Sequence, residues 1–408
     1  MGLCADEASR DKKTELKPVH ATIKNTAFFL FLALLPGSLC SQPIPAAQQT
    51  DLYLPLLEGK TVAVVGNHSS LVVVEEKNQH LVDHLLSKNI HIKTVFAPEH
   101  GFRGTSDAGS YIEDGIDSRT GLPIISLHGA HKKPQAQDLQ GVDIVVFDIQ
   151  DVGVRFYTYI ATLQLVMEAC AEQQIPVLML DRPNPNGHYV DGPVMEKANQ
   201  NFLGMTPVPL VYGMTIGEYA RMVNGEGWLA NGLIADLTVI PLKYYSHKTP
   251  YKLPVRPSPN LPNAKAVNLY PSLGLFEGTF VNAGRGTNLQ FQQFGASFLN
   301  PKAFDHSYTP QSMPGATKPK EMGKKCYGRD LTQTTDLSSV NLNWLIEAYR
   351  HSKDKDLFFK TKGFTRHAGT EALQKQIEAG WSEAEIRATW KAGIEAFLPI
   401  RDRYLMYP

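Results

Sequence analysis

The sequence carries no excess of either charge. Its 408 residues include 40 lysines and arginines and 40 aspartates and glutamates. Proteins that bind nucleic acid, and proteins held at a membrane by charge alone, need a basic excess. The balance therefore argues against both classes and leaves neutral or locally charged small substrates. The length predicts two domains, and a 43% share of apolar residues is enough to fill sizeable cores.

The signatures of several enzyme classes are also missing. The chain has no CxxC or HExxH motif, so it offers no zinc signature. It has no GxGxxG fingerprint and no P-loop, which argues against a phosphate cradle for a nucleotide. A GxSxG elbow is absent too, which excludes the serine mechanism of the α/β-hydrolases. We therefore expect a reaction that needs neither a metal nor a cofactor.

The apolar run near the N-terminus is too short to span a membrane, which takes about 20 residues. Residues 26–35 (TAFFLFLALL) follow a basic segment and precede Pro36 and Gly37. That order is typical of a secretory signal peptide, which we place at residues 1–40. We expect export to the periplasm or the exterior, with no membrane association after cleavage. A lipid anchor at Cys40 is the alternative, although Leu39 stands where such a signal needs a small residue.

Cysteine is scarce. Beyond the predicted signal peptide only Cys170 and Cys326 are certain to remain. One pair of cysteines does not make a disulfide scaffold, although it allows a single bridge. Cys170 lies in an apolar helical run, which favours a buried free thiol.

Strands and helices alternate in the first half of the chain. Apolar, β-branched runs predict strands at residues 61–65, 92–96, 123–127, 142–147, 176–180 and 237–241. Helical patterns at residues 81–86, 157–172 and 212–225 separate several of them. This alternation predicts a Rossmann-like, doubly wound parallel sheet at residues 51–250. The Pro-rich segment 254–262 follows the junction, and residues 251–408, with helices near Trp344 and at 383–397, form a smaller α+β domain that closes the cleft.

Five of the predicted strands end in residues that a core would reject. Asp and Asn at such points can be helix caps or turn residues. Ligands of open parallel sheets, however, bind outside the carboxyl ends of the strands. Five polar strand ends on one edge therefore predict a pocket. The residues at these ends include Asn67, Glu99, His100, His128, Asp148, Asp151, Asp181, Arg182 and Asn184.

Glu99 is the sharpest candidate among them. It follows Pro98, which holds the chain extended, and it precedes His100 and Gly101, where glycine permits a tight turn. A carboxyl group at a strand end beside two phenylalanines can serve as a general acid. We predict that role for Glu99, with His100 beside it in the catalytic set. The alternative is an ion pair between Glu99 and Arg103.

Cleavage of a sugar linkage commonly uses a second carboxyl group across the cleft. The candidates are Asp148, Asp151 and Asp181. An arginine fork could grip an anionic group of the substrate. The candidates are Arg155, Arg182 and Arg285. Tyr157 and Tyr159 offer apolar faces with hydroxyl groups, as sugars favour, although packing at a helix start explains them equally well.

Ordered motifs run along most of the chain. They are Pro98-Glu99-His100-Gly101, Phe147-Asp148-Ile149-Gln150-Asp151-Val152-Gly153 with Arg155 and Tyr157, Asp181-Arg182-Pro183-Asn184-Pro185, Tyr212-Gly213-Met214-Thr215, Pro257-Ser258-Pro259-Asn260-Leu261-Pro262, Phe276-Glu277-Gly278-Thr279 and Gly284-Arg285-Gly286-Thr287. With these motifs the sequence resembles the bacterial exo-β-N-acetylmuramidases, a glycoside hydrolase family. The likeness spans roughly residue 54 to the C-terminus.

The resemblance implies a Rossmann-like domain joined to a smaller C-terminal domain, with the active site in the cleft between them. It implies release of N-acetylmuramic acid from the non-reducing ends of peptidoglycan fragments, either muropeptides or disaccharides. The family's proposed catalytic glutamate corresponds to Glu99. Asn67, Asn184 and Glu277 join the arginines and Tyr157 as substrate-binding candidates. Phe280 departs from the family pattern, in which we expect Asn more often.

N-acetylmuramic acid differs from N-acetylglucosamine by a lactyl ether that ends in a carboxylate. A site selective for it should place an arginine at that carboxylate. Arg285, flanked by Gly284 and Gly286, has room to reach in. A Gly-Arg-Gly segment can equally be a surface turn.

Two other functions are compatible with the pattern. One is a protein that binds cell-wall fragments and has lost the chemistry, and the other is a metal-dependent hydrolase with Asp148, Asp151 and His100 as ligands. The mechanism also stays open. Inverting and retaining glycosidases differ in carboxylate separation, roughly 6.5–9.5 Å against about 5 Å, and the substrate's own 2-acetamido group is a further possible nucleophile.

Overall fold

The structure is a computed structural model that describes residues 42–103 and 114–408. The predicted signal peptide lies outside these residues. The described strands are β1 Thr61–Gly66, β2 Leu71–Val74, β3 Lys77–His80, β4 His91–Ala97, β5 Gly115–Ile116, β6 Pro123–Ser126, β7 Ile144–Asp148, β8 Val177–Leu180, β9 Leu237–Ile240, β10 Gln293–Ala296, β11 His306–Tyr308 and β12 Cys326–Asp330. The described α-helices are α1 Thr50–Leu57, α2 Leu81–Ser87, α3 Tyr159–Glu172, α4 Ile216–Gly225, α5 Ala264–Leu273, α6 Asn343–Arg350, α7 Thr361–Ala368, α8 Ala372–Glu378 and α9 Glu383–Asp402.

Seven strands form the central sheet in the order β5-β6-β4-β1-β7-β8-β9. Six of them are parallel, and β5 pairs antiparallel with β6 at one edge. Numbered along the chain, the parallel strands follow the order 3-2-1-4-5-6 of the Rossmann fold. The chain changes direction across the sheet between β1 and β7, where a ligand crevice is expected.

Both faces of the sheet are covered because alternate residues of each strand point to opposite sides. Along β1, Val62 and Val64 pack in a cluster with residues of α1 and α2. Ala63 and Val65 pack in a second cluster with residues of α3 and α4. The sheet is therefore doubly wound, as the sequence predicts.

The second cluster continues into the C-terminal half. It includes Phe276, Phe294, Phe364 and Trp390 together with the residues of β1 and α3. The strands β10, β12 and β11 form a small antiparallel sheet there, and α5 to α9 belong to the same half of the chain. The predicted α+β second half is thus confirmed, while its boundary at residue 250 stays a prediction.

The predicted strands of the sheet are confirmed to within two residues. Helix α4 begins four residues later than predicted because Thr215 caps it. The Thr215 hydroxyl accepts the Glu218 amide at 3.2 Å, and the Glu218 carboxylate accepts the Thr215 amide. Cys170 and Cys326 are both buried free thiols. Within the described ranges, no helix combines the length and apolarity that crossing a bilayer requires.

Candidate active site

A cavity of about 160 Å³ opens where the carboxyl end of β4 meets the C-terminal half. Its lining comes from several segments that are distant in sequence. These residues are Glu99, His100, Phe156, Tyr157, Thr158, Tyr159, Leu203, Ser258, Asn260, Leu261, Tyr270, Glu277, Arg285, Phe291 and His367. We refer to it as the cleft. Five of the twelve predicted site residues line it, namely Glu99, His100, Tyr157, Glu277 and Arg285.

Glu99 reaches the cleft through a tight turn at the end of β4. The Gly101 amide donates to the Pro98 carbonyl at 3.0 Å, and both His100 and Gly101 have positive φ, 73° and 76°. A positive φ is uncommon for a non-glycine residue, and such strain concentrates at functional sites. The Thr158 hydroxyl donates to the Glu99 carboxylate at 3.2 Å, which orients it from the start of α3.

Arg103 pairs with other acidic groups. Its guanidinium donates twice to Asp117, at 3.1 and 2.6 Å, and lies 3.5 Å from Asp83. Phe96 and Phe102, the two phenylalanines near Glu99 in the sequence, are both buried. The structure therefore gives Arg103 a role in holding neighbouring segments together.

Aromatic rings form one wall of the cleft. The rings of Tyr157 and Tyr159 lie 4.8 Å apart, and Tyr270 lies 5.2 Å from Phe156 and 4.8 Å from Phe291, all edge to face. Burial raises the pKa of the Tyr270 phenol, and the charges of Glu277 and Glu99 raise it further. Tyr270 therefore remains a neutral hydroxyl group between the two carboxylates. Such a wall offers a sugar ring both apolar contact and hydrogen bonds.

The opposite end of the cleft is charged. Glu277 lies in the 3₁₀ turn Gly274–Gly278, and the Arg285 guanidinium donates to its carboxylate at 3.1 Å. Burial alone would raise the pKa of Glu277, but the charges of Lys320, Arg285 and His367 outweigh it and lower that pKa to about 2. Glu277 is therefore an anion at any physiological pH.

His367 reaches the cleft from α7. Its Nδ1 donates to the Gly363 carbonyl at 2.8 Å, and burial lowers the pKa of the ring. A neutral imidazole held in this way keeps Nε2 as an acceptor. The turn that carries Glu277 can approach α7 because Gly278 has no side chain; a Cβ there would overlap the Phe364 backbone.

The three aspartates considered as second carboxylate are buried outside the cleft lining. Arg182 binds Asp148 with two hydrogen bonds, at 2.6 and 2.8 Å. Asp151 accepts the Tyr212 hydroxyl and the Gly153 amide, and burial raises its pKa to about 6. Burial likewise raises the pKa of Asp181 to about 7. These carboxylates anchor the strand ends, and among residues 42–103 and 114–408 Glu277 is the carboxylate that lines the cleft together with Glu99.

Four other predicted residues also lie behind the lining. Arg155 is fully buried and donates to four carbonyl groups, those of Pro193, Val208, His367 and Ala368, at 2.6 to 3.1 Å. Arg182 is held by Asp148 and the Leu71 carbonyl. The Asn184 side-chain Nδ2 donates to the Met214 carbonyl, and the Asn67 side-chain Oδ1 accepts from the Ser69 backbone amide. Arg155 supports the cleft indirectly, because two of its acceptors are the carbonyl groups of His367 and of its neighbour Ala368.

A metal centre of three or more His, Cys, Asp or Glu side chains does not occur among residues 42–103 and 114–408. Both carboxylate oxygens of Asp148, one of the ligands considered for a metal-dependent hydrolase, are engaged by Arg182.

The sequence motifs do not indicate several of the cleft residues. Thr158 stands between Tyr157 and Tyr159, and this position in the sequence is the one signal for its contact with Glu99. Tyr270, Phe291 and His367 have no local signal, because helices and turns far along the chain bring them to the cleft. Phe280 is 41% exposed and lies 4.9 Å from the Lys360 ammonium, at the turn that carries Glu277.

Comparison with known proteins identifies relatives along most of the chain. Residues 62–265 match the model "Exo-beta-N-acetylmuramidase NamZ, N-terminal", and residues 268–407 match its C-terminal counterpart. The peptidoglycan beta-N-acetylmuramidase NamZ of Bacillus subtilis (strain 168) is 36% identical over 374 residues, which cover 87% of this chain and 89% of that protein.

Two crystal structures of DUF1343 family proteins from Bacteroides fragilis NCTC 9343 share the fold. One superposes with a TM-score of 0.82 at 46% identity, and the other with a TM-score of 0.74 at 25% identity. Each similarity covers 90% of this chain and 99% of the other chain.

Proposed function

Because this chain belongs to the exo-β-N-acetylmuramidase family, we propose that it removes N-acetylmuramic acid from the non-reducing ends of peptidoglycan fragments. The observation that carries the proposal is the cleft itself. It holds a carboxyl group oriented by Thr158, a wall of aromatic rings and an arginine at the opposite end. These are the parts that hydrolysis of an anionic sugar requires.

Glu99 is the general acid of the proposed reaction. Its proton passes to the glycosidic oxygen as the bond to the anomeric carbon breaks and the alcohol leaves. Water then supplies the hydroxyl group at that carbon, and the other proton of the water returns to the Glu99 carboxylate. Two groups can stabilise the positive charge that develops on the sugar. One is Glu277, the second carboxylate of the cleft, and the other is the substrate's 2-acetamido group. Glu277 also holds Arg285 in place.

Arg285 binds the lactyl carboxylate in this proposal. Its Nη1 is committed to Glu277, and its Nη2 makes a 3.4 Å contact with the Gly315 carbonyl. A guanidinium has five N–H donors, so donors remain for a carboxylate of the substrate. The Glu277 contact fixes the fork before the substrate arrives, which reduces the entropy lost on binding.

The proposal is tested with purified protein and two chromogenic β-glycosides, one of N-acetylmuramic acid and one of N-acetylglucosamine. We expect turnover of the muramic acid glycoside and little or none of the glucosamine analogue. Reduced peptidoglycan disaccharides with muramic acid at the non-reducing end should release that sugar. Binding without turnover would instead support a cell-wall-fragment binding protein.

We also propose that the protein is exported, because a basic segment precedes the apolar run at residues 26–35. The expected outcome is a native protein that begins after about Ser38. N-terminal sequencing of protein isolated from its own host measures this, and a full-length chain in the cytosol would contradict it. A lipid on Cys40 would appear as a mass increment on the N-terminal peptide.

A further inference from the structure

Lys320 lies beside Glu277 and Arg285 at the charged end of the cleft, and none of the sequence motifs includes it. Its ammonium donates to three backbone carbonyls, those of Phe276 at 2.8 Å, Glu277 at 3.1 Å and Val281 at 3.4 Å. An ammonium group has three N–H donors. All of them are therefore directed at one short segment, residues 276–281, which we call the Glu277 turn.

The position of Lys320 matches the electrostatics of this turn. The carbonyl groups at the end of a helical segment carry partial negative charge, and a cation placed there is favourable. Lys320 also shares a small cavity of about 200 Å³ with Glu277 and Arg285. That cavity adjoins the cleft, since both residues line the cleft as well. The ammonium is thus placed to hold the backbone that presents Glu277 to the cleft.

We propose that Lys320 is a positioning residue, whose protonated side chain fixes the Glu277 turn so that Glu277 and Arg285 meet the substrate in the correct geometry. The proposal rests on the proposed function for the identity of the substrate. It assigns Lys320 no contact with the sugar, because its three donors are already used by the turn. Catalysis then also depends on the proton of the Lys320 ammonium, which takes no part in the chemical step.

The charges around Lys320 determine when that proton is lost. Burial lowers the pKa of the ammonium, Glu277 raises it, and Lys360 and Arg285 lower it further, to about 8. His367 also faces this group, and the charge of Lys320 lowers the pKa of its ring. The functional form is the protonated one, so positioning is nearly complete at pH 7, is half lost at pH about 8, and is lost as the pH rises further.

Two substitutions separate charge from shape. Lys320→Arg keeps a side chain that remains a cation throughout this pH range and can still donate to the turn. Lys320→Met keeps much of the volume and removes both charge and donors. The control is Lys324→Met, four residues further on, where the side chain is 62% exposed and pairs only loosely, at 3.4 Å, with Glu321.

The first measurement is kcat/KM for the muramic acid glycoside between pH 6 and pH 10. In the wild type, log kcat/KM should fall above pH 8 by about one additional unit per pH unit, on top of any fall caused by other groups. Lys320→Arg should lack this additional fall. Lys320→Met should lose roughly ten- to a hundredfold in kcat at pH 7, as expected for a misplaced catalytic environment, while Lys324→Met should match the wild type.

The second measurement does not depend on activity. Hydrogen exchange of the peptide that contains residues 276–284 should be faster in Lys320→Met than in the wild type at pH 7, with other peptides unchanged. Lys320→Arg should restore most of the protection. If the wild type hydrolyses neither glycoside, the proposed function fails, and the exchange experiment still decides the role of Lys320. The proposal would be overturned if the additional fall in log kcat/KM above pH 8 persisted in Lys320→Arg. Hydrogen exchange of residues 276–284 that is unchanged in Lys320→Met would also overturn it.

Discussion

At the scale of single residues, the chemistry depends on a carboxyl group that is held in one orientation. Thr158 fixes the Glu99 side chain at 3.2 Å, and the Tyr159 hydroxyl lies 3.4 Å from the Glu99 carbonyl. Both contacts come from the start of α3, which is anchored in the core. The acid is therefore oriented before the substrate binds, and this preorganisation is a large part of what an enzyme contributes.

Glu99→Gln should reduce kcat for the muramic acid glycoside at least a hundredfold, because the amide keeps the shape and cannot donate the proton as an acid. General acid catalysis typically contributes about a hundred- to ten-thousandfold. The rate is measured with the chromogenic glycoside, and the thermal midpoint should stay within about 2 °C of the wild type. Glu172→Gln, at the exposed end of α3, is the control and should leave the rate unchanged. A Glu99→Gln variant with more than about a tenth of the wild-type rate would remove Glu99 from this role.

Arg285→Met should lower turnover of the muramic acid glycoside by about ten- to a hundredfold. Charge-assisted hydrogen bonds to a carboxylate contribute roughly 1.5–3 kcal/mol, which corresponds to that factor in rate if they persist in the transition state. Any slow turnover of the glucosamine analogue should hardly change. The ratio of kcat/KM for the two glycosides is therefore the measurement.

The matched variant is Arg285→Lys, which keeps the charge and loses the fork, and should recover only part of the loss. An equal fall for both glycosides in Arg285→Met would mean that Arg285 serves only to balance Glu277. Arg155 and Arg182, which the sequence offers as alternatives, are committed to carbonyl groups and to Asp148.

Residue types alone do not separate catalytic from anchoring groups. Asp148, Asp151 and Asp181 stand at strand ends just as Glu99 does, and each has the chemistry of a second carboxylate. The structure uses them to bind an arginine, a tyrosine and a helix start. The distinction depends on which way the chain turns after the strand, and that is decided by tertiary contacts that a single sequence does not display.

At the scale of elements, the sheet was predictable and its surroundings were not. Buried parallel strands such as β1 and β7 have continuous β-branched runs, which identify them as strands. The register shift between Val62 and Ala63 on β1 has no such signal. The C-terminal half has short strands and turns whose pattern is weak. The Glu277 turn and α7 meet only because Gly278 allows close approach to Phe364, so half of the cleft is built from elements without a periodic signal.

At the scale of the whole molecule, the C-terminal residues contact the N-terminal half of the chain. Residues 406–408, which follow α9, make these contacts. The Met406 amide donates to Glu218 at 2.7 Å, and the His247 amide donates to the Pro408 carbonyl at 3.0 Å. Tyr407 is 8% exposed, and its hydroxyl donates to Asp181 at 2.7 Å while accepting the Leu242 amide at 2.8 Å. The C-terminus is therefore part of the anchor at the end of β8.

This arrangement links stability to the ionisation of Asp181. Its pKa is raised by burial to about 7, while an unfolded aspartate titrates near about 3.9. The folded state therefore holds a proton that the unfolded state has lost between these values, and the contribution of Asp181 to stability falls as the pH rises through that window. Above pH about 7 the folded protein holds a buried carboxylate, and the Tyr407 hydroxyl becomes a donor to a charge.

Tyr407→Phe should consequently destabilise the protein more at pH 8 than at pH 5. A hydrogen bond to a neutral group contributes roughly 1 kcal/mol, and one to a charged group roughly 1.5–3 kcal/mol. We expect the loss in the free energy of unfolding, measured by urea denaturation against the wild type at each pH, to be about 0.5–2 kcal/mol larger at pH 8. Tyr404→Phe is the control, because Tyr404 donates to the partly exposed Glu226 at 2.6 Å, where water can replace it. Its loss should be small and equal at both pH values. If Tyr407→Phe also shows equal losses, Asp181 does not change its charge between pH 5 and pH 8, and the Tyr407 hydroxyl contributes the same hydrogen bonds at both pH values.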